Sequence, residues 1–253
     1  MLAVVSAMAE EIAGVIDALT QVDTREFGGR KFHTGLFHGV EVVAVFSRYG
    51  KVAAAATVTQ LFAAYPVDRL IFGGVAGGVH PELAIGDIVV ATDLVQHDMD
   101  ASPLFPRYEV PLLGKARFAT DPDLRAGLVA AAKLFAEHDL ASQVTLAERT
   151  FFKMSVPRVV EGMVASGDKF FASSEAVRDL RERLPGVCCV EMEGAAVAQV
   201  CAEYQIPFAV VRTISDSANE SAVHDFPRFA REIARHYSKG VLVRYLKLGS
   251  TSP

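Results

Sequence analysis

The chain has 253 residues, 51% hydrophobic and 22% charged; Lys and Arg (25) are outnumbered by Asp and Glu (30), for a formal net charge of -5. That is ample apolar material for one large α/β domain, and the mild negative charge argues against nucleic acid or an anionic membrane as a partner. Three cysteines, two of them adjacent at Cys188 and Cys189, make no disulfide framework and fit a reducing cytoplasm.

In chain order, "LAVVSA" (2–7) predicts a buried strand and "EEIAGVIDAL" (10–19) an amphipathic helix. The opening "MLAVVSAMAEEI" lacks a basic start and runs into acids, so it does not read as a signal peptide. No apolar run approaches the ~20 residues of a membrane span. A strand is expected at 39–47 and an Ala-rich helix at 51–65. Residues 68–79 read as a strand running into a glycine-rich turn, and 86–96 as a further strand. The stretch 97–115 mixes prolines with apolar and charged residues and reads as a long surface loop, a common site of function. A helix opening on Asp121 is expected at 121–138, a strand at 157–167 and a helix at 173–184. "GVCCVEME" predicts a strand, "GAAVAQVCAEY" a helix and 207–216 the last strand. A long helix then closes the chain over 222–248, with a bend expected near Gly240. No linker or repeat divides it, so one domain over 1–248 is expected, with a frayed tail at 249–253.

Alternating strands and helices predict an α/β fold: a three-layer sandwich with a mixed, largely parallel central sheet between helices. In such sheets the ligand crevice lies beyond the carboxyl ends of the strands. Those ends read "SAMAEE", "SRYGK", "GGVAGG", "ASGDKFF", "VEMEG" and "RTISDS".

Each of these ends carries two readings. The glycines of "GGVAGG" (73–78) let a ligand approach the backbone, or serve tight packing. Glu191 and Glu193 stand two apart in extended chain and so share a side, where they could clasp a ribose diol; either could instead cap the next helix. Asp216 could exchange a proton with a heterocycle nitrogen if burial raises its pKa, or cap a turn. Glu10 and Glu11 suit a helix start on electrostatic grounds alone. Phe170 and Phe171 could sandwich a flat base or belong to the core. "HDMD" (97–100) has metal-like letters but a single His, and a metal site is not expected there.

In this order the motifs "AMAEEI", "YGKVAAA", "GGVAGGV", "GDIVVAT", "HDMD", "SGDKFF", "VEMEGAAVAQVC" and "VVRTISDSA" resemble those of the 5′-methylthioadenosine/S-adenosylhomocysteine nucleosidases, within the purine nucleoside phosphorylase superfamily. The resemblance spans nearly the whole chain. It implies a nucleoside phosphorylase-like fold and hydrolysis of an N-glycosidic bond with release of adenine, without cofactor or metal. It implies Glu11 as the base for the attacking water, Asp216 as the acid at the adenine N7 nitrogen and Arg212 near the water. Glu193 would grip the ribose hydroxyls, Met192 lie against the sugar, Phe170 stack on adenine and the Phe171 backbone read its edge. Glu191 is expected to be an accessory or structural acid. Ala7, Gly77 and Ser215, within the same motifs, are further implied substrate-binding positions.

The resemblance also implies a cytoplasmic homodimer serving methionine salvage, in which Leu104, Phe105 and Pro106 of one subunit cover the apolar 5′ tail in the other. Some relatives cleave 6-amino-6-deoxyfutalosine as well. The chain departs from the pattern at Val75, where many members carry a water-holding Ser. Phe72 stands where phosphorylases place an Arg, which favours hydrolysis over phosphorolysis; a catalytically silent nucleoside-binding relative is the remaining alternative.

Overall fold

The computed structural model describes residues 1–249. The tail expected to fray lies outside them, apart from Gly249, which ends the last helix. The elements run β1 (Leu2–Ser6), α1 (Ala9–Ile16), β2 (Thr20–Phe27), β3 (Arg30–Phe37), β4 (Val40–Phe46), α2 (Lys51–Ala64), β5 (Arg69–Gly78), β6 (Ile88–Gln96) and β7 (Arg117–Ala119). Then come α3 (Pro122–Leu134), a π-helical turn (Phe135–Asp139), α4 (Leu140–Gln143), α5 (Leu146–Phe151), β8 (Val159–Ser166), α6 (Ser174–Arg183), β9 (Val187–Glu191), α7 (Gly194–Tyr204), β10 (Phe208–Asp216), α8 (Ala222–Glu232) and α9 (Ala234–Gly249).

The sheet is mixed and flanked by helices, as the alternation implies. Strands β1 and β10 are buried along their whole length; β1 and the first half of β10 are accordingly apolar, while the second half of β10 carries the buried polar residues Arg212, Thr213, Ser215 and Asp216. α1 and α3 pack on α9, and α2 packs on α7. Local signals set the helix starts: Asp121 accepts the amides of Asp123 and Leu124 before α3, and Ser173 that of Ala176 before α6.

The pairing departs from a largely parallel sheet. Five of the ten strand pairs among the described residues are antiparallel. The sheet also closes on itself: β10 pairs with both β5 and β6, completing a ring through β8 and β9, while β1, β4, β3 and β2 extend outward from β5.

Two local expectations are corrected, and one unassigned stretch is filled in. "GGVAGG" is the end of β5, not a turn, and none of its glycines has a positive φ. The closing helix breaks at Ile233, where φ is -118, and runs unbroken through Gly240. Gly240 serves packing: a Cβ there would strike the ring of Phe135. Residues 20–38, left unassigned by the sequence reading, form the β2–β3 hairpin. Its two-residue loop is Gly28 and Gly29, both at positive φ. Polar β2 is the edge of the sheet and is exposed along nearly its whole length.

Candidate active site

The carboxyl ends of β1, β5, β8, β9 and β10 converge on one cavity of about 250 Å3. Its wall includes Glu11, Glu191, Glu193 and Asp216, with Ala7, Gly77, Phe170, Phe171, Met192, Ser215 and Val75 among the other positions singled out in the sequence. Four acids on a small, otherwise mainly apolar surface cannot all be charged cheaply, and the structure handles each differently.

Glu11 sits in the first turn of α1 and is 2% exposed. Its Oε2 accepts the amides of Ala7 (3.0 Å) and Met8 (2.9 Å), and its Oε1 that of Val75 (2.8 Å). Burial pushes its pKa up to about 7, although nearby Arg212 and the three amides oppose the shift. It is thus poised between acid and base near neutral pH.

Glu191 settles which acid caps the helix. Its oxygens accept the amides of Glu193 (3.2 Å) and Gly194 (2.9 Å) at the start of α7, the hydroxyl of Ser166, and the Arg212 guanidinium at 2.8 Å. All of its acceptor capacity is directed into the protein. Glu193 makes no cap; its Oε1 accepts the Gly50 amide at 2.7 Å. Burial and the neighbouring Glu191 raise its pKa above the usual carboxylate range.

Asp216 ends β10 and does two jobs. Oδ1 accepts the Ala218 amide at 2.8 Å, which shapes the turn, and Oδ2 accepts the Ser215 hydroxyl at 2.8 Å. Burial raises its pKa despite both bonds, the state a proton donor needs. Gly77 leaves room for this turn, since a Cβ on it would lie 2.9 Å from that of Ala218.

Arg212 does not line the cavity. It lies behind the wall, 1% exposed, stacked 4.2 Å over the ring of Phe72 and ion-paired to Glu191. Burial alone would lower its pKa, but Glu191 outweighs that and holds the charge in place. Its field reaches Glu11 and Glu193.

The two phenylalanines part company. Phe171 is buried against His97, ring centroids 5.3 Å apart, while Phe170 is 43% exposed and leans on Phe226. Leu104, Phe105 and Pro106 are not brought to this cavity, and Leu104 is 85% exposed. The cavity also takes in Met8, Tyr49, Lys169 and Phe226, which the sequence reading did not single out. Tyr49 follows β4 in "SRYGK", a strand end that could have flagged it. Phe226 is brought in by α8 and has no local signal.

A family model for the phosphorylase superfamily matches residues 1–247. A 5′-methylthioadenosine/S-adenosylhomocysteine nucleosidase of Chromohalobacter salexigens is 36% identical over 252 residues, covering 99% of each chain. The crystal structure of the nucleosidase of that name from Neisseria meningitidis, in complex with methylthio-immucillin-A, superposes with a TM-score of 0.86 at 32% identity over 98% of each chain. A futalosine hydrolase mutant of Helicobacter pylori gives 0.82 at 30% identity, again over 98% of each. The chain belongs to the phosphorylase superfamily and, within it, to the 5′-methylthioadenosine/S-adenosylhomocysteine nucleosidases.

Proposed function

We propose that the protein hydrolyses the N-glycosidic bond of 5′-methylthioadenosine and S-adenosylhomocysteine and releases adenine. The observation that carries this reading is that Glu11, Glu193 and Asp216, each from a different strand end, line one cavity beside an aromatic wall. Breaking the C–N bond leaves positive charge on the ribose and negative charge on the base. Asp216 gives its proton to N7 of the leaving adenine. Glu193 accepts the ribose hydroxyls, and in their ionised forms Glu193 and Glu11 stabilise the cationic sugar, whose positive charge in turn favours those forms. Glu11 takes the proton of the attacking water as the new C–O bond forms, the division of labour of glycosidases transferred to a nucleoside. Phe170 stacks on the base, the Phe171 backbone reads its edge, and Met192 lies against the sugar. Arg212 tunes the acids from behind the wall, and Val75 leaves the water to Glu11 and the backbone.

Hydrolysis is preferred to phosphorolysis on electrostatic grounds. Among the described residues Lys169 is the one cation lining the cavity, and Arg212 is committed to Glu191. A phosphate dianion would have Lys169 as its cationic partner in the wall, would meet repulsion from each acid that is ionised, and would push the raised pKa values of Glu11 and Glu193 higher still. Adenine release from methylthioadenosine, assayed with and without phosphate, tests the reading: phosphate-independent release is expected, and strict phosphate dependence overturns it. The futalosine hydrolase likeness makes 6-amino-6-deoxyfutalosine a second substrate for the same assay.

The active unit is a homodimer in the cytoplasm serving methionine salvage. Leu104, Phe105 and Pro106 of a second copy close the 5′ end of the cavity. Exposed Tyr49, Val52, Leu104 and Leu112 support this by offering apolar surface for a second copy. Sedimentation of the full chain tests it, and a monomer at assay concentration with full activity overturns it.

A further inference from the structure

In the motif "HDMD" His97 backs Phe171 of the aromatic wall, and the first acid, Asp98, is built into the frame that holds both that wall and the acids. Asp98 lies just beyond β6. Its Oδ1 accepts Lys51 Nζ at 2.7 Å and its Oδ2 accepts the Asp168 amide at 2.9 Å. Asp168 in turn accepts the Lys51 amide at 2.8 Å, so three segments far apart in sequence close into one loop of hydrogen bonds. Lys51 Nζ also donates to Gln96 Oε1 at 3.1 Å, and Gln96 donates to Gln199 on α7 at 2.8 Å. The ion pair is partly withdrawn from solvent, with Lys51 17% and Asp98 31% exposed, so it is screened less than a fully exposed pair. Burial alone would raise the Asp98 carboxyl, but the bonds from Lys51 and the Asp168 amide outweigh it and keep the group charged.

Both ends of this frame touch the cavity. Gly50, one residue before Lys51, donates the amide that holds Glu193, and it does so at a φ of 90 with Asp168 Oδ1 only 3.0 Å from where a Cβ would stand. Asp168 leads directly into Lys169, Phe170 and Phe171 of the cavity wall. The start of α2 therefore has its two amides committed to Glu193 and Asp168, and their relative placement depends on what holds Lys51 against the 167–168 turn.

We infer that Asp98 is a positioning residue: by tying Lys51 to the Asp168 turn it fixes the Gly50 amide on Glu193 and the adjoining aromatic wall in one geometry. The inference deepens the nucleosidase reading and rests on it. Asp98 touches no reacting atom and acts through these two neighbours.

Adenine release from methylthioadenosine by Asp98→Asn, Lys51→Met and the double variant, each as the full chain and checked by circular dichroism, tests the inference. Asn offers one acceptor oxygen where two donors converge and turns an NH2 group on the other. Each single variant is expected to lose up to about 100-fold in kcat/KM, the scale of a small misplacement in a catalytic site. The double variant is expected to lose no more than the worse single, because both cut the same tie. The Gly50 amide lowers the Glu193 pKa, so the acid limb of kcat/KM against pH moves to higher pH in both. Unchanged kcat/KM in a folded variant, losses that multiply in the double, or lost activity with an unmoved pH profile overturns the proposal. If Asp98→Asn does not fold, the pH profile of Lys51→Met alone decides it. Wild-type turnover decides the nucleosidase reading separately. Adenine affinity by calorimetry, expected to weaken in both single variants, tests the positioning role even without turnover; unchanged affinity counts against it.

Discussion

The Glu11 carboxylate occupies the space that a side chain on Gly74 would need: a Cβ there would lie 2.6 Å from Oε1 and 3.0 Å from the carboxyl carbon. One glycine of the β5 end therefore exists for the acid opposite it. Gly74→Ala should displace Glu11 and cost about 100-fold in kcat. Its effect on melting temperature should be smaller than that on rate, because Glu11 can swing into the cavity. Steady-state kinetics beside a thermal melt checks this, and a fully active Gly74→Ala enzyme contradicts it.

Asp216→Asn keeps the shape of the side chain. Its oxygen can still accept the Ala218 amide, and its NH2 can donate to Ser215, so the turn should survive. The proton for the leaving base is gone, and kcat should fall by about 10²–10⁴-fold. Adenine release with circular dichroism on the same sample separates lost chemistry from lost structure.

Glu11 titrates at about 7 in the folded protein, against 4.5 for an unperturbed glutamate. Between these values the folded state holds a proton that the unfolded state has released. Stability from this group therefore falls as pH rises from about 4.5 to 7 and stays reduced above that. The penalty amounts to about 3 kcal/mol. Glu11→Gln removes the titration. Urea unfolding should show the variant gaining on wild type by about that amount between pH 4.5 and 8, while activity is lost. A stability difference independent of pH would contradict the shift.

Arg212→Met should be the most destabilising of these changes. It leaves Glu191 buried without its cation, and removing one partner of a buried pair costs about 3–5 kcal/mol. Glu11 and Glu193 also lose a nearby positive charge, so both pKa values should rise further. Denaturant unfolding and the pH dependence of kcat/KM measure the two effects on one variant.

Phe170→Ala should act mainly on binding. Loss of a stacked ring costs about 1–3 kcal/mol per base. KM for methylthioadenosine should rise while kcat changes much less than in the acid variants.

The strand ends were legible because acids following apolar runs are costly to place and stand out, as "VEMEG" and "RTISD" do. The division of labour between Glu191 and Glu193 was implied by the family resemblance alone; the residues by themselves left it open, since it depends on Arg212 arriving from another strand and on the Gly50 amide arriving at the start of α2. The β2–β3 hairpin had a readable signal in Gly28-Gly29, but its polar edge strand lacks the apolar alternation that marks a strand. Ring closure and the entry of Phe226 are long-range events. They follow from where β10 and α8 pack, which no local window of sequence contains.

The closed circuit of β5, β9, β8, β6 and β10 has a mechanical consequence. An open sheet can fan its strands apart to admit a bulkier guest; a ring held by backbone bonds on every side cannot without breaking a ladder. Latitude toward larger 5′ groups must therefore come from parts outside the ring, such as the Phe170–Phe226 pair at the rim, while the ends of β9 and β10 that lead into Glu193 and Asp216 keep their spacing.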